Sequence, residues 1–111
     1  MLLEKLKKDG GFTLTSQGKE YITNFGFQVG TRSLVKVQLN TLTDETLGQL
    51  VKGCLETVKP WEYLGGWVDK GLLYLDVSVH VPHYMVAMEL AKQKNQISIY
   101  DWSTGECILC D

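Results

Sequence analysis

Apolar and polar positions change period several times along the chain, and each change predicts an element. Phe12 and Leu14 alternate with Thr13 and Thr15, which fits a strand, and Ser16-Gln17-Gly18 supplies a turn. The alternation resumes from Tyr21 to Val29, with Tyr21, Thr23, Phe25, Phe27 and Val29 on one face and Asn24, Gly26 and Gln28 on the other. The two runs together predict a hairpin. Gly30-Thr31-Arg32 breaks the pattern, and Val35, Val37 and Leu39 then alternate with Leu34, Lys36 and Gln38 as a third strand. Ahead of Phe12, Leu2, Leu3 and Leu6 sit among lysines with no cap and stop at Asp9-Gly10-Gly11, so residues 1–10 are expected to be a frayed N-terminal turn.

The period then lengthens. Thr43 suits an N-cap, Asp44 and Glu45 suit the positive end of a helix dipole, and Leu47, Leu50, Val51, Cys54, Leu55 and Val58 make one apolar stripe that Pro60 ends. Gly48 and Gly53 lie off the stripe, and each costs about 1 kcal/mol relative to Ala, so this helix depends on docking. Tyr63 to Val68 and Leu72 to Val81 predict a second hairpin, closed with a bulge by Asp69-Lys70-Gly71. In its longer arm Leu73, Leu75, Val77, Val79 and Val81 share the core face, while Tyr74, Asp76, Ser78 and His80 share the other. Pro82 fits the first turn of a helix running to about Lys94, and Asn95 suits its left-handed end. Gln96 to Trp102 and Cys107 to Leu109 complete the order β-β-β-α-β-β-α-β-β. The expected fold is a single α+β domain over residues 1–111, its mostly antiparallel sheet packed by two main helices.

Composition narrows the function classes. With 111 residues, 44% hydrophobic and 22% charged, one soluble domain is expected, able to hide roughly 65% of its unfolded surface. Eleven Lys+Arg against 13 Asp+Glu give a formal net charge of -2, no basis for binding nucleic acid or an anionic membrane surface. No apolar run approaches the ~20 residues of a membrane-spanning helix. Met1-Leu2-Leu3-Glu4 lacks the basic-then-apolar order of a secretory signal, and three cysteines are too few and too unevenly spaced for a secreted disulfide scaffold. A cytoplasmic location is expected.

Candidate chemistry is sparse. His80-x-x-His83 and Cys107-x-x-Cys110 offer four zinc-ligand types, but a strand turns residues three apart to opposite faces and Pro82 makes a corner between the histidines. A redox dithiol needs a helix N-terminus to lower the thiol pKa, and none follows Cys107. Asp76, Ser78 and His80 are triad residue types, yet on one strand Asp76 and His80 stand about 13 Å apart at ~3.3 Å per residue. Gly65-Gly66 has none of the surroundings of a phosphate loop. Neither a catalytic group nor a cofactor is expected.

Aromatics remain: Trp61, Trp67, Trp102, Tyr63, Tyr74, Tyr84 and Tyr100 are many for this length, and some must lie opposite the core. Tyr and Trp anchor protein interfaces because they bury large area at low rotamer entropy. The contact candidates are therefore Trp67, Tyr74, Asp76, Tyr100 and Trp102, with a second core layer as the alternative reading of the aromatic face.

Four segments carry a resemblance: Gly65-Gly66-Trp67-Val68-Asp69, Leu73-Tyr74-Leu75-Asp76-Val77-Ser78, Ala87 with Ala91, and Asn95-Gln96-Ile97-Ser98-Ile99-Tyr100-Asp101. This pattern, with Gly10-Gly11-Phe12-Thr13-Leu14 before it, resembles one in small uncharacterised proteins of phages and mobile elements. The resemblance implies an accessory protein that binds one host protein in a bacterial cytoplasm, inhibitors of host defence such as anti-CRISPRs included. The expected function is thus non-enzymatic protein binding. The competing expectations are a small zinc or redox domain built on His80, His83, Cys107 and Cys110, and an oligomerisation module closed as a homodimer.

Overall fold

The computed structural model describes residues 2–110. Its elements are α1 (Leu2–Asp9), β1 (Gly11–Thr15), β2 (Phe27–Gln38), a 3-10 turn (Leu39–Thr41), α2 (Asp44–Leu55), β3 (Tyr63–Asp69), β4 (Leu72–Val81), α3 (Tyr84–Gln93), β5 (Ser98–Asp101) and β6 (Glu106–Leu109). All six strands join one curled sheet in the order β1-β3-β4-β2-β5-β6, every pairing antiparallel. The α+β class follows the sequence pattern. The order of elements does not.

The expected N-terminal hairpin shrinks to a single antiparallel bridge, Leu14 opposite Glu20, and Tyr21 to Gly26 form no strand. β1 pairs with β3, Phe12 opposite Gly66, and the Phe12 ring fills the space where a side chain at position 66 would stand. Residues 19–21 only touch the outer edge of β1, through Thr15 N–H to Lys19 O (2.7 Å) and Tyr21 N–H to Thr13 O (2.8 Å). Gly26 then takes φ +77°, which ends any extended run from Tyr21. Gly30-Thr31-Arg32 is not a break either: β2 runs through it with register shifts at Gly30/Arg32 and Ser33/Val35, so the surplus residues become bulges that bend the strand.

Residues 2–9 form a helix rather than a frayed turn. Leu6 is 1% exposed and joins Leu47 and Val51 of α2 in the core, so burial holds a segment whose local capping is poor. That makes three helices where two main ones were expected. The β3–β4 turn contains only Lys70 (φ 52°) and Gly71 (φ 79°), with Asp69 opposite Leu72 and no bulge. Two positive φ angles mark a type I′ turn, whose twist matches that of the strands. Thr43 caps α2 with Thr46 completing the box, but the helix ends at Leu55, short of Pro60. His83 is the N-cap of α3, so Pro82 precedes that helix instead of entering its first turn; Asn95 takes φ 57° beyond its end.

The odd-numbered residues of β4 organise the core. Leu73, Leu75 and Val77 pack with Leu64, Phe12, Leu14 and the apolar stripes of α1 and α2. Val79 and Val81, on the same side of the strand, pack with Val29, Ile99 and the two alanines of α3, Ala87 and Ala91. The three helices therefore use one face of the sheet. No helix among the described residues is long and apolar enough to cross a membrane.

Candidate functional site: the open face of the sheet

On the opposite face α1 reaches only the border, with Lys5 and Asp9, and a strap of chain crosses the strands. Leaving the edge at β1, residues 20–26 must pass β3 and β4 to reach β2. Tyr21 stacks near Tyr63 (ring centroids 4.4 Å apart) and meets Trp102 (5.8 Å) and His80 (6.0 Å) edge-on. The strap ends with Phe25 O 2.8 Å from His80 Nε2 and Gly26 O accepting from Trp102 N–H (3.0 Å).

Between this strap and Trp67 the face holds a pocket of about 660 Å³. That volume is within the range of ligand sites. Gly65, Asp76, Ser78, Gln28 and Gly30 make its floor; Tyr21, Tyr100 and Trp102 supply aromatic walls; Ile22 and Ile97 stand on its border, 70% and 79% exposed. A second hollow of about 570 Å³ at the β3–β4 turn, around Lys7, Asn40 and Lys70, has neither an aromatic side chain nor a carboxylate in its lining.

Asp76 is the chemical centre of the floor. It lies between glycines on both neighbouring strands: a Cβ at Gly65 would stand 2.6 Å from Asp76 Oδ1, and one at Gly30 would stand 3.7 Å from Oδ2 and 2.9 Å from Gln96 Oε1. The two missing side chains leave room for the carboxylate and open space above it. Burial pushes the Asp76 carboxyl up to about 6, while a hydrogen bond from the Trp67 indole works in the opposite direction. Beside it runs a polar chain: Trp102 Nε1–H donates to Gln28 Oε1 (2.9 Å), and Gln28 Nε2–H donates to the Ser78 hydroxyl (2.9 Å). Gln28 and Ser78 are buried, so this chain satisfies amide and hydroxyl groups that would otherwise be costly.

Among the expected contact residues, Trp67, Asp76, Tyr100 and Trp102 line this pocket, while Tyr74 lies behind Trp67 and outside the lining. Trp67 and Tyr74 stack at 4.2 Å and 12°, with Lys36 Nζ 5.7 Å from the Tyr74 ring; Tyr100 and Trp102 meet edge-on at 5.0 Å. The aromatic face is thus two pairs flanking a carboxylate, not one continuous patch.

The possible zinc ligands are not brought together. His80 is tied to the strap, His83 is exposed at the start of α3, Cys107 borders the pocket, and Cys110 packs on Met88 of α3 (3.9 Å). Strand alternation explains the separation of the two thiols. Among the described residues no three His, Cys, Asp or Glu side chains form a group able to hold a metal.

Sequence reading missed Tyr21, Gln28, Gly30, Gln96 and the strap itself. The available signal was glycine inside strand patterns at positions 30 and 65, which marks bulges and close approach. Compared with models of protein families, with curated proteins and with solved structures, the chain gives no match.

Proposed function

We propose that the chain is a non-enzymatic binding protein that works by seating a projecting part of another protein on the open sheet face. The observation that carries this reading is the pocket itself: an aromatic-walled hollow with a single carboxylate at its floor and exposed isoleucines on its border. Aromatic anchors at the centre and exposed apolar groups beside them are what protein recognition uses. Gly65, Trp67, Asp76, Ser78, Gln96 and Ile99, which carry the resemblance to small phage and mobile-element proteins, all line this pocket. That convergence supports reading the pattern as a recognition site, and the setting it suggests is an accessory protein acting on a host protein in a bacterial cytoplasm, with inhibition of a defence system as one such role.

The test is affinity capture from bacterial lysate with the tagged wild-type chain, Trp67→Ala and Ile97→Glu, each checked for folding by circular dichroism. A defined protein held by wild type and lost by both variants is expected. Equal capture by all three would move the binding surface off this face.

A further inference from the structure

We propose that the pocket takes the cationic end of a basic side chain of the partner protein, with Asp76 as its counter-charge. This deepens the preceding reading and rests on it. The charged residues lining the pocket are Lys5, Asp9, Glu20 and Asp76. Lys5 is already committed, 3.0 Å from Asp9 and 3.4 Å from Glu20, so the lining cation is spent on the α1 side. Asp76 is left with the neutral indole of Trp67. An anionic occupant would meet the uncompensated charge of Asp76, and a purely apolar one would leave that carboxylate with the Trp67 indole alone in a largely desolvated position.

The surrounding atoms favour a donor-rich cation. Above Gly30, Gln96 Oε1 and Asp76 Oδ2 border the same small space, 2.9 and 3.7 Å from where a Cβ would stand. The amide nitrogen of Gln96 faces Lys94 O at 3.4 Å, which directs its oxygen away from that contact. Two acceptors thus converge where a guanidinium or ammonium would place its N–H groups. Tyr21, Tyr100 and Trp102 line the same pocket, and aromatic rings attract a desolvated cation. Burial that raises the Asp76 carboxyl agrees with this, because a nearby positive charge is what would lower it again. The source is a protein side chain, not a free amine, because Ile22 and Ile97 extend an exposed apolar border that only a larger surface covers.

The experiment is NMR titration of the nitrogen-15-labelled chain with N-acetyl-arginine-N-methylamide and its lysine counterpart, against the citrulline counterpart, which keeps the shape of arginine and removes the charge. Saturable shifts of the Trp67 and Trp102 indole N–H signals are expected with a cationic probe. Binding should be at least about tenfold weaker for citrulline, and weaker by a similar factor in Asp76→Asn. No saturable shift with either cationic probe, equal binding of citrulline, or unchanged binding by Asp76→Asn overturns the proposal. Partner capture separates this from the preceding reading. A partner lost by Ile97→Glu yet kept by Asp76→Asn would end the basic side chain and leave the binding face standing. A partner kept by both would end the binding face, while the titration still decides the charge of what the pocket accepts.

Discussion

Asp76 and Gly65 face each other across β3 and β4, and the carboxylate occupies the space a side chain on residue 65 would need, 2.6 Å from its Cβ position. Gly65→Ala must therefore displace the carboxylate, with a stability loss on the order of 1 kcal/mol and a shift of the Trp67 indole signal. Gly66→Ala meets the buried Phe12 ring at 2.4 Å and should cost more, about 2–3 kcal/mol. Gly48→Ala, within α2 and with nothing within 4 Å, should instead stabilise by about 0.5–1 kcal/mol. Urea unfolding at neutral pH orders the three, and equal effects at positions 65 and 48 would disprove the contact.

Asp76 also makes stability depend on pH. Its carboxyl binds a proton more tightly folded, at about 6, than unfolded, at 3.8, so between these values the native state holds more protons. Stability contributed by this group is thus full below pH 3.8 and falls as pH rises through about 6, by on the order of 3 kcal/mol. Asp76→Asn should flatten that decline and unfold at higher urea than wild type at pH 7.5. Parallel wild-type and Asn profiles from pH 4 to 8 would show that the carboxyl titrates normally.

Leu6 is the most deeply buried residue of α1. Leu6→Ala is expected to destabilise by about 2–4 kcal/mol, whereas Glu4→Ala on the exposed side should stay within about 0.5 kcal/mol. Amide exchange over residues 2–9 offers a second check, since protection there should fall in the Leu6 variant and persist in the other.

The indole of Trp102 satisfies Gln28, which in turn satisfies Ser78. Trp102→Phe keeps an aromatic wall but removes the donor, and should cost about 1–3 kcal/mol for the stranded amide oxygen. Thermal unfolding compared with Trp61→Phe, a tryptophan on the exposed side, isolates the hydrogen bond from the loss of ring area.

The legible parts of the fold were those decided locally. Thr43 and its stripe located α2, the alternation of β4 put Tyr74, Asp76, Ser78 and His80 on one face, and Asn95 marked the end of α3. The β3–β4 pairing was legible from its short turn, but the non-local strand partners were not, because a period of two says which face a residue takes and nothing about which edge pairs with which. Phe12 found Gly66 and not the nearer run from Tyr21, a choice made by packing across the molecule. The site was half legible for the same reason: Trp67, Asp76, Tyr100 and Trp102 stood out as residue types, while Gln96 and Tyr21 enter the pocket only because distant segments cross it.

The strand order has a kinetic consequence. Only β3–β4 and β5–β6 are neighbours both in the chain and in the sheet, so those two hairpins can close early and locally. β1 must wait for β3, and β2 for β4, across α2 and long stretches of unfolded chain, which places the slow step at the closing of those non-local seams. The pocket floor straddles the second seam, with Asp76 on one side and Gly30 on the other. A species that has formed its two local hairpins but not that seam therefore has no assembled pocket floor.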